Sequence, residues 1–215
     1  MKYFRLLSML PALPDAPGAP PVPLEQLIAL LFEDLAEGDK PLALALLGHL
    51  DCQNLEARLQ GYEVFDQRAV LTAEAFDERT ELPEYMQDFL EAHDSGASSE
   101  EYVFDGLWKR FYTSLVEVGE QSGSNFLKDW ASYEITLRDT LAKSRAESLG
   151  DKPELRAAGV AVETAESHAP LLAAMAEAAN PMEAERLLDT ARLGKIDSIS
   201  GIDPFSTDAA LSYLA

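Results

Sequence analysis

The chain has 215 residues, 47% of them hydrophobic, and 38 acidic against 17 basic residues give a net charge of −21. Such a length supports a sizeable core, and the apolar fraction excludes a wholly disordered chain. The charge disfavours nucleic acid and anionic lipid, whose phosphates a negative surface repels, and favours basic protein partners. Leu and Ala dominate the apolar set while Val and Ile are sparse, which predicts an all-α fold. The single cysteine, Cys52, excludes an internal disulfide and fits a reducing compartment.

The first ten residues hold a compact apolar unit of Tyr3, Phe4, Leu6, Leu7, Met9 and Leu10, readable as a short strand or a helix. Arg5 interrupts it and Pro11 follows, so it is too short and too broken for a signal peptide. The expectation is a cytoplasmic protein. No apolar run approaches the roughly 20 residues needed to span a bilayer, which argues against direct membrane insertion. Pro11 to Pro23 is rich in proline, which fixes φ and lacks a backbone donor, and reads as an extended connector.

Leu24, Leu27, Ile28, Leu31 and Leu35 form a helical stripe ending before Gly38. Asp39 then stands as the N-cap of a second helix, with Pro41 in its first turn and Gly48 as a candidate break. The stretch from Tyr62 to Leu71 loses its period and reads as an irregular turn or short strand. Thr72 caps a short helix, and Leu82-Pro83 opens another whose apolar face is Tyr85, Met86, Phe89 and Leu90. Ser98 or Ser99 caps the next helix, whose wide stripe runs from Val103 to Leu115. Gly119 to Ser124 reads as a turn leading into Phe126 to Gly150.

That last segment is the most informative in the chain. Phe126, Trp130, Tyr133, Leu137 and Leu141 keep to one stripe of a helix roughly 37 Å long. Glu134, Arg138, Asp139 and Arg145 are threaded around the stripe. They read either as a semi-buried ionic network or as a solvated edge with Glu134 and Arg138 paired at i,i+4. Trp108 and Trp130 are expected to face one another across a helical hairpin. Beyond Gly150 the pattern weakens over Lys152 to Thr164. Helices follow from His168 and from Pro181, Lys195 to Pro204 reads as a loop, and Ser206 or Thr207 caps a closing helix. That helix reaches Ala215 without a terminator, which predicts a natural chain extending further.

The segments group as an N-terminal apolar unit and connector (1–23), a main helical domain (24–150) and a smaller C-terminal helical part (151–215). The architecture expected is a helical bundle of antiparallel hairpins. Residue patterns for chemistry are sparse. His49, His93 and His168 lack metal-ligand spacing, and no glycine-rich phosphate cradle or nucleophile elbow occurs. Carboxylate pairs such as Asp77 and Glu81 are unspecific among so many acids. Cys52 and His49, an (i, i+3) pair, are the one candidate for a nucleophile or half a metal site. The expectation is a binding protein with no catalytic site, no cofactor and no metal.

Three stretches carry a resemblance. KYFRLLSMLPAL, ELPEYMQDFL and FLKDWASYEITLRDTLAKSRAESLG resemble the matching motifs of a bacterial family of unassigned function encoded among V/A-type ATPase subunits. The third is also similar to a stretch of the C subunit of these rotary ATPases, the d subunit of the eukaryotic enzyme. Asp139 stands where the family usually has Asn. The resemblance implies a helical socket like the C subunit, with no chemistry of its own, that couples the soluble head to the membrane rotor. It further implies partners among the rotor ring and central stalk, and a place peripheral to the inner membrane through those partners. Trp130, Tyr133, Glu134, Leu137, Arg138, Asp139 and Arg145 are its structural or interface candidates. The alternative is an acidic helical adaptor or assembly factor.

Overall fold

The computed structural model describes residues 2–12, 18–96, 103–149 and 168–215. Within these the fold is all-α, with no strand among the described residues. The helices are α1 Phe4–Met9, α2 Leu24–Asp34, α3 Lys40–Leu59, α4 Ala73–Glu78, α5 Glu84–Asp94, α6 Val103–Ser122, α7 Asn125–Leu149, α8 Ala169–Glu177, α9 Pro181–Ile199 and α10 Thr207–Leu214. Several starts follow from side-chain caps. Thr72 accepts from Ala75 N, Asn180 from Glu183 N, and Ser206 from Ala209 N. Predicted caps at Ser98 and Ser99, the segment Lys152 to Thr164 and the stop at Gly150 lie outside the described residues.

The α6–α7 pair forms an antiparallel hairpin. Gly119 meets Lys128, Tyr112 meets Glu134 and Trp108 meets Arg138, so positions fall along α6 as they rise along α7. Gly123, at φ +76°, makes the reversal, and Ser124 Oγ caps α7 by accepting from Leu127 N at 3.2 Å. Gly119 is not in the turn, as its sequence context suggests, because α6 runs through Ser122. It is there for closeness: a Cβ on Gly119 would lie 2.7 Å from Lys128 N. Gly48 acts likewise within an unbroken α3, since a Cβ there would stand 3.1 Å from the Phe111 ring.

α7 is central. It packs on α6, α9 and α10, and α3 and α5 pack on α6 from elsewhere. With neighbours on several sides, α7 buries more than the predicted stripe. Leu127, Ala131 and Ile135 are buried beside Phe126, Trp130, Tyr133 and Leu137, and Leu141 is partly buried. Buried residues from α1 to α10 join one apolar cluster, including Tyr3 and Leu6 near the start and Leu211 and Leu214 near the end. The segment Lys195 to Pro204 is not all loop, because α9 continues to Ile199.

Asp39 takes a different task from the expected cap. No cap hydrogen bond comes from its side chain. Instead its Oδ2 accepts from Lys2 Nζ at 2.6 Å, Tyr3 Oη at 2.5 Å and Thr207 Oγ1 at 2.7 Å. Burial pushes its pKa up, but the three donors outweigh burial and hold it below the usual carboxylate range. Tyr3 N also donates to Phe205 O at 2.9 Å, and Phe4 packs its ring on Phe205 at 4.9 Å. The residues around α1 are thereby joined to the entry of α10. The loop from Tyr62 to Leu71 is tied down by α3: the Asn54 amide exchanges two hydrogen bonds with the Asp66 backbone, and Asp51 accepts from Leu71 N at 2.9 Å.

Candidate functional site

The middle of α7 places a carboxylate where the period calls for an apolar side chain. Glu134 lies one turn from Trp130 and from Arg138 on the buried side of the helix, and only 1% of its surface is exposed. A buried carboxylate is costly unless cations and donors surround it. Here Arg192 of α9 grips it with a fork, Nε to Oε1 at 2.8 Å and Nη2 to Oε2 at 3.2 Å. Tyr112 Oη of α6 donates to Oε2 at 3.4 Å. Arg138 Nε stands 3.6 Å from Oε2, an ion pair beyond hydrogen-bond length.

Arg138 is held mainly by aromatic faces. Its guanidinium carbon lies 4.3 Å from the Trp108 ring centroid and 5.2 Å from that of Tyr112, within cation–π range. Trp108 Nε1 in turn donates to Glu56 Oε2 of α3 at 2.9 Å. The group thus connects four helices: α3 through Glu56, α6 through Trp108 and Tyr112, α7 through Glu134 and Arg138, and α9 through Arg192. Burial pushes the Tyr112 hydroxyl pKa up, and the nearby Glu134 charge adds to it. For Arg192 burial works to lower the pKa, but the bonds to Glu134 prevail and raise it.

Trp108 and Trp130 do not face one another, since Trp108 lies opposite Arg138. Trp130 stacks on Tyr133 at 5.9 Å, and Tyr133 turns toward the α8–α9 side, where it meets His168 at 5.2 Å and Lys195 at 5.4 Å. Leu137 is fully buried. Asp139 is half-buried and makes no hydrogen bond or ion pair among the described residues. Burial raises its pKa, and Lys109 and Lys143 counter the rise. Arg145 is exposed, with no ion pair to the group among the described residues. Glu134 and Arg138 therefore belong to the network, and Asp139 and Arg145 do not.

Arg192 has no sequence neighbour in the site, being 58 positions from Glu134. A signal for it does exist: Leu188 and Ile196, four residues either side, are both buried, so Arg192 occupies the apolar stripe of α9. The Cys52 and His49 pair does not come together as nucleophile and base. Cys52 Sγ contacts Tyr85 Oη at 3.9 Å, and His49 Nδ1 lies 3.1 Å from Leu46 O. Burial pushes the Cys52 thiol pKa up, against the thiolate a nucleophile needs. Among the described residues no group of His, Cys, Asp and Glu is arranged to hold a metal, and no helix is long and apolar enough to cross a membrane.

Beside the network lies a cavity of about 220 Å³, lined by Ala215 and by residues of α3, α6, α7 and α9 that include His49, Trp108, Trp130, Glu134, Arg138 and Arg192. Compared with known proteins, residues 1–168 match the family model described as protein of unknown function (DUF2764), and the chain belongs to that family. No curated protein and no solved structure matches it. The matched residues include Glu134 and Arg138, whereas Arg192 lies beyond them.

Proposed function

We propose that this DUF2764 protein is a noncatalytic accessory or central-stalk component of a bacterial V/A-type ATP synthase, similar in role to its C subunit. In this reading it couples the soluble head to the membrane rotor and lies at the inner membrane through protein contacts alone. The observation that carries the proposal is the position of α7. The stretch that resembles the C subunit is the helix around which α6, α9 and α10 pack, and its Glu134 and Arg138 belong to a buried ionic group. A part that transmits torque must keep its helices in fixed register. Sliding α9 along α7 by one residue would separate Arg192 from a carboxylate only 1% exposed, at a cost of several kcal/mol. The net charge of −21 supports docking on basic faces of protein partners rather than on lipid.

The test is purification of the intact ATPase from native membranes. The proposal expects this chain at fixed stoichiometry beside the other subunits, and no ATP hydrolysis by the isolated chain. Its absence from an otherwise complete, active complex would refute this reading. The strongly acidic surface also suits an adaptor or assembly factor, which would appear in assembly intermediates and be missing from the working enzyme.

A further inference from the structure

We propose that the groove between α3, α5 and α6 binds a small apolar amine, its ammonium drawn by Asp51 and its apolar body held by the walls. This inference is independent of the ATPase reading. It starts from the shape of α3. Pro41, Ala45, Gly48 and Asp51 follow one another at steps of four, three and three residues, which keeps them on one side of the helix. Ala45 and Gly48 are small, and a groove of about 300 Å³ lies over them. That volume is at the lower end of the roughly 300–1,000 Å³ of small-molecule sites. Phe111 and Leu115 of α6 and Leu71 of the loop supply apolar walls, and Leu44 and Val70 stand exposed at its rim.

Asp51 is the one charged residue among the described residues that line this groove. Its carboxylate is met by the backbone N–H groups of Leu71 and Val70, and no described cation acts on it. Burial raises its pKa to about 6, so at neutral pH it is ionised with a charge that neutral donors leave uncompensated. A cation in the groove would supply what the chain does not, through walls of low polarity that weaken its attraction little. Two hydroxyls line the same space. Tyr85 Oη receives only the weak thiol donor of Cys52, at 3.9 Å, and Ser114 makes no side-chain hydrogen bond among the described residues. An ammonium carries three donors and no acceptor, which suits a carboxylate and two hydroxyl oxygens. A carboxylate ligand would meet a like charge instead. Burial holds Tyr85 and Cys52 in their neutral forms, Asp66 and Arg68 of the loop pair with one another, and α6 presents no titratable side chain to the groove. Any response to pH near 6 therefore belongs to Asp51.

The Leu71 amide donates to Asp51 and lines the groove, so its NMR shift reads this site directly. The full chain is titrated with cyclohexylmethylamine, with methylamine as the same charge without an apolar body, and with cyclohexylmethanol as the same body without charge. The expected result at pH 7.5 is a saturable shift with cyclohexylmethylamine at a Kd below about 1 mM, and none with either control. Binding should be about tenfold weaker at pH 5, where Asp51 is mostly protonated. Asp51→Asn keeps an oxygen for the Leu71 N–H but no charge, and is expected to weaken binding at least about tenfold and to remove the pH dependence. Ser114→Ala should weaken it about threefold through loss of one acceptor. Melting curves establish that each variant is folded, and Ser114→Ala with the pH profile of the unaltered chain decides the matter if Asp51→Asn does not fold. Absence of saturation, an equal response to methylamine, or unchanged affinity in the folded variants would overturn the proposal. Equal or tighter binding of the alcohol would overturn the ligand class.

Discussion

Glu134 and Asp51 are both buried carboxylates on long helices, exposed by 1% and 2%, yet they are kept by opposite means. Glu134 sits between two guanidiniums and a phenol, in the seam of α6, α7 and α9. Asp51 has no cation partner among the described residues. It accepts backbone N–H groups from Val70 and Leu71, and burial raises its pKa to about 6 in spite of them. Neutral donors satisfy hydrogen bonds but do not replace the solvation of a charge, whereas a guanidinium fork does both. The comparison separates two roles. Glu134 cross-links helices far apart in sequence, and Asp51 pins a local loop to the helix that precedes it.

The largest expected effect falls on Glu134. Glu134→Leu would leave Arg138 without its counter-charge and Arg192 with only the 3.9 Å pair to Asp189, and denaturant unfolding should show a loss of about 3–5 kcal/mol. A loss under about 1 kcal/mol, the range of surface ion pairs, would erase the contrast with Asp51.

Asp51 gives the next effect, with a sign set by its raised pKa. The folded state binds its proton more tightly than the unfolded state, whose pKa is near 3.8. Its contribution is therefore fully present below about pH 4 and is lost as pH rises through about 6. Relative to wild type, Asp51→Asn should gain about 2–3 kcal/mol between about pH 4 and pH 7, since the amide cannot ionise. Parallel stability profiles for the two proteins over that range would contradict the account of Asp51.

The close approach that brings Tyr112 to Glu134 depends on Gly119. Gly119→Ala places a methyl 2.7 Å from Lys128 N, where backbone rather than a flexible side chain must move. Thermal and denaturant unfolding should report a loss of about 1–3 kcal/mol. The smallest effect concerns the cap of α7. Ser124 Oγ both caps the helix and donates to Asp208 of α10 at 2.6 Å. Ser124→Ala should cost about 1 kcal/mol, and no measurable cost would mean that another group caps α7.

Local signals identified much of the helical framework. The caps at Thr72 and Ser206, the stripe of α2 and the period of α7 are each written within a few residues, so they can be read without knowing the fold. Local signals mislead where a residue has two uses. Asp39 is a good cap by type, but the arrival of Lys2, Tyr3 and Thr207 draws its carboxylate away. Gly48 and Gly119 resemble a break and a turn, yet both sit inside helices where a neighbour comes too near for a Cβ. In the site, Glu134 and Arg138 were legible from their spacing, while Asp139 and Arg145 had the same local credentials and point to no partner in the network.

By itself the sequence determined the all-α class, the acidic surface, the main course of α7 and the placing of Glu134 and Arg138 on neighbouring turns. Those follow from composition and from a period of about 3.6 residues, which act over short distances along the chain. Only the tertiary structure decided that Arg192 would reach Glu134 from 58 positions away, and that Asp51 would be buried with backbone donors alone. Burial and charge pairing between distant segments depend on which helices meet, and no local pattern encodes that choice.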